Sequence, residues 1–308
     1  MGTGVPTGWS GGACASVRAE RTIAASMAEN IRSNAPQLRV PDGIFIPAAA
    51  EARRHAATTQ FGDPRNPPIL FLHGIRLGRE IWAPHAAILA HRYHVVTLDL
   101  PGHGALADVP FTQEDLDALL HGVIDGVLGA PPLIVGYSLG GFVAMHYAAR
   151  FADRTRALVL AGCTLDFESW KWWPYGMGVR LTQSLPDAWL AALLHASLYL
   201  TLPRYWLDVV EGIPFDRDVL LRTSAIARSN PRPSDEIATY RKPVTIVNGQ
   251  YDLAFRLDER RFLHRLPQAR LRIIRGSDHT APLRHVEEFT SIVEEFAGRV
   301  FAPASPRM

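Results

Sequence analysis

The fold of this chain is decided by Leu133-Ile134-Val135-Gly136-Tyr137-Ser138-Leu139-Gly140-Gly141. Its apolar start predicts a buried strand, and the apolar residues from Phe142 onwards predict a helix. Between them lies a Gly-x-Ser-x-Gly pentapeptide, which in a strand–turn–helix context is typical of a serine nucleophile held at a sharp turn. Glycine is expected on both sides of the serine, because a β-carbon there would collide where two backbones approach closely. We therefore interpret Ser138 as a nucleophile.

Working outward from this stretch, short β-branched runs alternate with helical patterns from about Pro68 onwards. This alternation predicts an α/β fold, with a mostly parallel central sheet and helices on both of its faces. Besides the strand before Ser138, strands are predicted at residues 68–72, 94–99, 156–162, 243–249 and 270–274. Helices are predicted at residues 82–90, 112–127, 257–266 and 286–297.

The same alternation divides the chain into segments. Residues 1–38 are predicted to be a disordered or weakly ordered extension, and residues 301–308 a C-terminal tail. Residues 39–163 and 239–300 are predicted to form the α/β core, with weak candidates for edge strands at residues 37–40 and 43–46. Residues 164–238 contain many aromatic side chains and no clear strand, which predicts a helical cap inserted between two strands.

Charge and cysteine content narrow the classes of partner. The 308 residues contain 32 Lys and Arg against 30 Asp and Glu, and the basic side chains are scattered. Nucleic acid is therefore not an expected partner. Two cysteines, Cys14 and Cys163, provide neither a disulfide framework nor a metal cluster. No apolar run reaches the ~20 residues of a membrane span. We expect a cytoplasmic monomer or homodimer with no transmembrane segment.

A serine hydroxyl is a poor nucleophile, so it needs a base, and the base needs an acid that orients it. Parallel sheets place such groups beyond the carboxyl ends of their strands. Asp252 stands just beyond the predicted strand that ends at Gly249, and His279 just beyond the last predicted strand. The chain order Ser138, Asp252, His279 is the order expected of a catalytic triad on this architecture.

Other ionisable residues compete for these roles. Asp166 follows the strand before the insertion and is the alternative acid, while His285 is the alternative base six residues after His279. Asp278 directly precedes His279, where it would either raise the pKa of the imidazole or face solvent. His103 is interpreted as a residue that structures its turn.

Four signatures, taken together, resemble the α/β-hydrolase superfamily over about residues 61–297. They are His73-Gly74, Asp99-Leu100-Pro101-Gly102-His103-Gly104, the Ser138 pentapeptide, and the loops that carry Asp252 and His279. The resemblance implies the α/β-hydrolase fold and an oxyanion hole made by the backbone N–H groups of Ile75 and Leu139. We expect neither a metal nor a cofactor. A serine nucleophile also excludes the members that use aspartate, the dehalogenases and epoxide hydrolases.

The cap is rich in Trp, Leu and Tyr and poor in charge, which favours a small or medium apolar carboxylic ester or lactone as the substrate. The candidate substrate-binding residues are Arg76, Tyr137, Trp170, Trp172 and Trp173. Two other interpretations of the tryptophans stay open, since they would also pack the cap onto the sheet or contact a membrane surface.

Two other functions also stay open. Arg76 follows the oxyanion residue, and as a clamp for a substrate carboxylate it would indicate a C–C bond hydrolase of ring-cleavage products. As a solvated loop arginine it would indicate nothing about the substrate. A non-catalytic ligand receptor on the same fold is the third function.

Overall fold

The computed structural model describes residues 54–168, 184–202 and 230–302, together with residues 173, 177, 180, 206, 207, 217 and 221–223. Within these residues the chain forms seven strands and eight α-helices. The strands are β1 Thr58–Phe61, β2 Pro68–Leu72, β3 His94–Leu98, β4 Leu133–Tyr137, β5 Ala157–Ala161, β6 Val244–Gly249 and β7 Arg270–Ile274. The helices are α1 Ala83–Leu89, α2 Gln113–Val123, α3 Leu139–Arg150, α4 Asp187–Thr201, α5 Pro233–Glu236, α6 Glu259–Arg265, α7 Ala281–Arg284 and α8 Val286–Val300.

The seven strands form one sheet in the order β1-β3-β2-β4-β5-β6-β7. β1 runs antiparallel to β3, and every other pair of neighbours is parallel. The predicted mostly parallel α/β sheet is therefore confirmed. β2 has β3 on one side and β4 on the other, so the strand order reverses there. Such a reversal opens a crevice beyond the carboxyl ends of the strands, where open α/β sheets bind their ligands.

Both faces of the sheet are buried, because successive side chains along a strand point to opposite faces. In β2, Leu70 and Leu72 belong to one apolar cluster, while Ile69 and Phe71 belong to another. Helices α2, α3 and α6 contribute side chains to the first cluster, and α1 and α8 to the second. Helices on both faces, as predicted from the alternating pattern, therefore enclose the sheet.

The turn between β4 and α3 is strained and closely packed. Ser138 has φ 51° and ψ −114°, a backbone conformation that L-residues rarely adopt. A β-carbon on Gly136 would lie 2.4 Å from the carbonyl oxygen of Gly140, and one on Gly140 would lie 2.3 Å from that of Leu72. Both glycines are thus required by backbone contacts, and the turn presents Ser138 at the end of its strand.

Local details differ from the predicted elements in two places. β1 was not predicted, because Thr58–Phe61 is short and half polar, and it becomes a strand by pairing with the open edge of β3. The helix predicted over residues 112–127 begins as expected, since Thr112 Oγ1 accepts the N–H of Asp115 at 3.1 Å. It continues beyond Val123 as a π-helical turn, Ile124–Leu128.

Several predictions fall outside the described residues: the N-terminal extension, the candidate edge strands at residues 37–40 and 43–46, and most of the C-terminal tail. In the predicted cap, the described residues include α4 and α5. Trp206 is buried and donates its indole N–H to the carbonyl oxygen of Leu283 at 2.6 Å, which connects this segment to the core. None of the described helices combines the length and apolarity that crossing a bilayer demands.

Candidate active site

Ser138, His279 and Asp252 meet beyond the carboxyl ends of β4, β7 and β6. The Ser138 hydroxyl lies 3.1 Å from His279 Nε2, and His279 Nδ1 lies 2.8 Å from Asp252 Oδ2. Asp252 is only 3% exposed, so its carboxylate is shielded from water. A proton on Nδ1 that is donated to this carboxylate leaves Nε2 free to accept the serine proton. In this order the three groups can act as a nucleophile, a base and an orienting acid.

The imidazole of His279 contacts two aromatic rings. The ring of Phe255 stacks on it, with centroids 4.3 Å apart and planes inclined by 18°. The ring of Tyr137 contacts it at 5.3 Å, and burial raises the pKa of the Tyr137 phenol, which keeps it neutral. Phe255 also donates its backbone N–H to Asp252 Oδ1 at 3.3 Å. Phe255 therefore contacts both His279 and Asp252.

Phe255 was not among the candidates from the sequence. The available signal was its position three residues after Asp252, within one turn of chain. No sequence motif marks a residue three positions after an aspartate. The contact between Phe255 and His279 is therefore visible only in the folded structure.

We expect Phe255→Leu to lower kcat about tenfold while KM stays within about twofold, because small misplacements of a base slow chemistry more than binding. Phe255→Tyr keeps the stacked ring and is the matched control, with near wild-type kcat. Steady-state kinetics on a p-nitrophenyl ester measure both values. A kcat of Phe255→Leu equal to that of the wild type would contradict a positioning role. So would a loss of kcat in Phe255→Tyr as large as the loss in Phe255→Leu.

The loop after β2 is held by a buried neutral histidine. His73 Nε2 accepts the backbone N–H of Leu100 at 3.0 Å, so Nδ1 carries the proton and donates it to the carbonyl oxygen of Gly74 at 2.8 Å. Burial holds the pKa of His73 well below its ordinary value. Its own carbonyl oxygen accepts the N–H of Gly140 at 3.0 Å, which joins this loop to the serine turn.

A second buried histidine supports the same loop. His103 Nε2 accepts the backbone N–H of Arg76 at 3.3 Å, and Nδ1 lies 2.9 Å from the carbonyl oxygen of Pro101. Burial lowers the pKa of His103, which keeps it neutral. The structure places His103 in a turn-supporting position, and together with His73 it orients the backbone around Ile75.

Two backbone N–H groups remain available, one in the loop after β2 and one at the start of α3. Within the part of the chain that the structure describes, the N–H groups of Ile75 and Leu139 have no hydrogen-bond acceptor. Leu139 is the first residue of α3, so its N–H lies at the positive end of the helix dipole. These are the two donors that the sequence resemblance implied: Leu139 directly follows Ser138, and the loop that contains Ile75 is joined to the serine turn by the hydrogen bond from Gly140 to His73.

The alternative acid and base lie elsewhere. Asp166 accepts the backbone N–H and the hydroxyl of Ser234, at 3.0 Å and 2.7 Å, and lies 3.1 Å from Arg261 Nε. His285 Nδ1 lies 3.9 Å from a carboxylate oxygen of Glu288. Neither residue takes part in the contacts among Ser138, His279 and Asp252.

Asp278 makes its side-chain hydrogen bonds with residues that follow His279 in the chain. Its Oδ1 accepts the backbone N–H of Thr280 at 2.9 Å and the hydroxyl at 2.6 Å, while Oδ2 lies 3.4 Å from Arg284. Burial on its own raises the pKa of Asp278, but these hydrogen bonds and the arginine outweigh it and hold the pKa below its usual value. The carboxylate of Asp278 is therefore held by Thr280 and Arg284.

The other candidate substrate-binding residues differ in burial, and two of them lie outside the described residues. Arg76 has φ 61°, and burial lowers the pKa of its guanidinium, which forms no ion pair with any described residue. Tyr137 is buried against His279. Trp173 is 59% exposed. Trp170 and Trp172 lie outside the described residues.

In the described part of the chain, no group of three or more His, Cys, Asp or Glu side chains is placed to bind a metal ion. Cys163 is a free, buried thiol whose pKa is raised by burial, so it stays protonated.

Known proteins resemble this chain in sequence and in structure. A family model described as the alpha/beta hydrolase family matches residues 69–292. A pimeloyl-[acyl-carrier protein] methyl ester esterase of Chromobacterium violaceum is 31% identical over 169 residues, which cover 55% of this chain and 63% of that relative. The esterase of the same name from Nitrosomonas europaea is 28% identical over 256 residues, 77% of this chain and 96% of the relative.

A solved carboxylesterase structure from the thaumarchaeon Nitrososphaera gargenis superposes with a TM-score of 0.66 at 20% identity. The superposition covers 79% of this chain and 94% of that one. At this level of identity the similarity shows a shared fold.

Proposed function

This chain belongs to the alpha/beta hydrolase family, and on that premise we propose that it is a serine esterase with Ser138, His279 and Asp252 as its catalytic triad. The observation that carries the proposal is the position of His279, between the serine hydroxyl at 3.1 Å and the Asp252 carboxylate at 2.8 Å. The named relatives are ester hydrolases, which supports an ester as the bond that is cleaved.

The first half of the reaction forms an acyl-enzyme. Ser138 Oγ attacks the ester carbonyl carbon while His279 Nε2 takes the hydroxyl proton. Asp252 stabilises the imidazolium that forms. The carbonyl oxygen becomes an oxyanion and accepts the N–H groups of Ile75 and Leu139, a kind of contact worth about 2.7–4 kcal/mol per donor in the transition state. The C–O bond then breaks, and the imidazolium gives its proton to the leaving alcohol.

The second half of the reaction releases the acid. Water attacks the acyl-enzyme carbonyl, and His279 takes a proton from that water. The oxyanion is held by the same two N–H groups. Collapse of this intermediate returns the proton to Ser138 Oγ and releases a carboxylic acid. No metal or cofactor takes part in either half of the proposed reaction.

The proposed substrate is a small or medium, mostly apolar carboxylic ester or lactone. The curated relatives are named for a methyl ester, and a small alcohol leaving group of that kind suits this chain as well. The aromatic residues of the cap sequence and the neutral rings beside His279 favour an apolar acyl group.

The test is covalent labelling of the nucleophile. A fluorophosphonate probe is expected to modify Ser138, which mass spectrometry of the peptide that contains it would locate. Labelling should be suppressed when a hydrolysed p-nitrophenyl ester is present in excess. A folded protein that hydrolyses no ester and stays unlabelled would refute the proposal.

One variant separates this reaction from C–C bond hydrolysis. Arg76 is the half-buried cation that would hold a ring-cleavage product's carboxylate, so Arg76→Ala should cripple a C–C hydrolase. Turnover of a neutral ester should change by less than about threefold, since an ester of this kind offers no charge for the guanidinium. A loss of more than about a hundredfold with neutral esters would contradict the assignment.

A further inference from the structure

Three buried polar side chains form a hydrogen-bonded network beside the loop that carries Asp252. They are Asn248 in β6, Thr164 in the segment after β5, and Glu259 at the start of α6. The amide nitrogen of Asn248 donates to Thr164 Oγ1 at 3.1 Å and to Glu259 Oε2 at 2.8 Å. A carboxylate only accepts hydrogen bonds, so the nitrogen of the amide, and not its oxygen, must face Glu259. Both N–H groups of Asn248 are therefore used within the network.

Thr164 connects this network to Phe255. A hydroxyl has one hydrogen to donate. Since an N–H of Asn248 points at the oxygen of Thr164, that hydrogen is donated elsewhere, to the carbonyl oxygen of Phe255. On its other side, Phe255 donates its N–H to Asp252 Oδ1 at 3.3 Å. The backbone of Phe255 is thus held by Thr164 at its carbonyl group and by Asp252 at its N–H group.

Glu259 holds the same loop from its other end. Glu259 Oε2 also accepts Nε of Arg256 at 3.1 Å. Arg256 donates through Nη1 to the carbonyl oxygen of Gln250 at 2.7 Å, and its backbone N–H donates to the carbonyl oxygen of Asp252 at 3.1 Å. The loop between β6 and α6 is therefore connected to Asn248 through Glu259 and Arg256.

The segment that carries Thr164 also lies close to the acid and the base. Gly162 has φ 57°, and a β-carbon on it would lie 3.0 Å from His279 Nδ1 and 3.3 Å from Asp252 Oδ2. The N–H of Gly162 donates to the carbonyl oxygen of Val247 at 3.1 Å, which joins this segment to β6. Thr164 follows only two residues later, so its backbone belongs to the immediate surroundings of His279 and Asp252.

Phe255 is the residue through which the network reaches His279. Its ring stacks on the imidazole with centroids 4.3 Å apart, and the position of that ring depends on the backbone that carries it. Loss of the Thr164 hydroxyl removes the donor to the Phe255 carbonyl oxygen and releases that side of the backbone. A misplacement of about 1 Å in a catalytic group can cost about 10²-fold in rate. The hydroxyl of Thr164 is therefore placed to affect the chemistry without contacting the substrate.

We propose that Thr164 is a positioning residue for His279. Its hydroxyl holds Phe255 against the imidazole, and Asn248 and Glu259 orient that hydroxyl. The assignment rests on the proposed esterase function and adds to it a residue that acts on the base from outside the triad.

Thr164→Val tests this role, because it replaces the hydroxyl by a methyl group of similar size. With a p-nitrophenyl ester, kcat should fall about tenfold while KM stays within about twofold, as expected for a misplaced base. Thr164→Ser restores the hydroxyl and should bring kcat back to within about threefold of the wild type. Thr245→Val is the matched control in β6, since Thr245 is buried and its hydroxyl has no hydrogen-bond partner among the described residues. Its kcat should stay within about twofold of the wild type.

A double-mutant cycle with Phe255→Leu distinguishes positioning from a general loss of stability. Each single variant is expected to lose about tenfold in kcat, and independent losses would multiply to about a hundredfold. If Thr164 acts through Phe255, the double variant should instead lose only about ten- to thirtyfold, because the ring that Thr164 holds is already absent. A purely structural role would lower the thermal midpoint of Thr164→Val and leave its kcat unchanged.

A folded Thr164→Val protein with a kcat within about twofold of the wild type would overturn the proposal. So would losses that multiply in the double variant, or a Thr164→Ser protein as slow as Thr164→Val. If Thr164→Val does not fold, Thr164→Ala removes the same hydroxyl without adding a methyl group, and the same measurements on it decide the question. Failure of a fluorophosphonate to label the wild type at Ser138 would instead refute the esterase function, so the two failures are distinguishable.

Discussion

Ser138→Ala is expected to lower kcat for ester hydrolysis by about 10⁴- to 10⁶-fold, the range seen when a triad serine is removed. In the proposed reaction the hydroxyl oxygen is the atom that bonds to the substrate, and it lies 3.1 Å from His279 Nε2. The remaining turnover would come from the oxyanion donors and from substrate binding. KM should change little, since the substitution removes one hydroxyl group and leaves the remaining contacts with the substrate in place. Steady-state kinetics, with fluorophosphonate labelling as a second measurement, check both expectations.

Ser277→Ala is the matched control for this variant. Ser277 is fully buried, and its hydroxyl has no hydrogen-bond partner among the described residues. Removing it therefore breaks no described hydrogen bond, and kcat should stay within about twofold of the wild type. A Ser138→Ala protein that keeps more than about a tenth of wild-type activity would refute its role as nucleophile.

Asp252→Asn is expected to lower kcat by about 10⁴-fold, because an amide cannot hold the imidazole in the tautomer that accepts the serine proton. The carboxylate contacts His279 Nδ1 at 2.8 Å, and an amide placed there with its N–H toward the ring would donate to Nδ1. The proton would then reside on Nε2, which faces Ser138. The substitution keeps the side-chain shape, so the loss should appear in kcat with an almost unchanged thermal midpoint.

Asp166→Asn is the matched control, since it makes the same change in the alternative acid. Asp166 accepts two hydrogen bonds from Ser234 and pairs with Arg261, so we expect a loss of about 1–3 kcal/mol of unfolding free energy. Its kcat should stay within about threefold of the wild type. A larger loss of kcat in Asp166→Asn than in Asp252→Asn would reverse the assignment of the acid.

Local pattern was enough to predict much of the fold. Five of the seven strands coincide closely with apolar or β-branched runs that are buried on both faces, and the pentapeptide around Ser138 predicted the strained turn. The reason is that burial of a strand and collision at a glycine depend on the residues of that element and its close neighbours. β7 was also predicted, although its side chains are partly exposed at the sheet edge.

Features that join distant parts of the chain could not be predicted in the same way. β1 exists because the edge of β3 is open to it, and its own four residues carry a weak strand pattern. The supporting roles of His73 and His103 depend on contacts with Leu100 and Arg76, each 27 residues away. Such contacts arise from the order of strands in the sheet, which the local periodicity of apolar residues does not encode.

The amino-acid sequence alone identified the turn at Ser138 and narrowed the partners to a few ionisable residues beyond later strands, because strand ends and glycine turns are local properties. It left open which acid contacts the base, and it contained no indication of the contact between Phe255 and His279. Folding resolved these points: the order of β4, β5, β6 and β7 brings Asp252 and Phe255 to His279 and places Asp166 against Ser234 and Arg261. Distances between residues 141 positions apart, as between Ser138 and His279, are set by the packing of whole strands and helices.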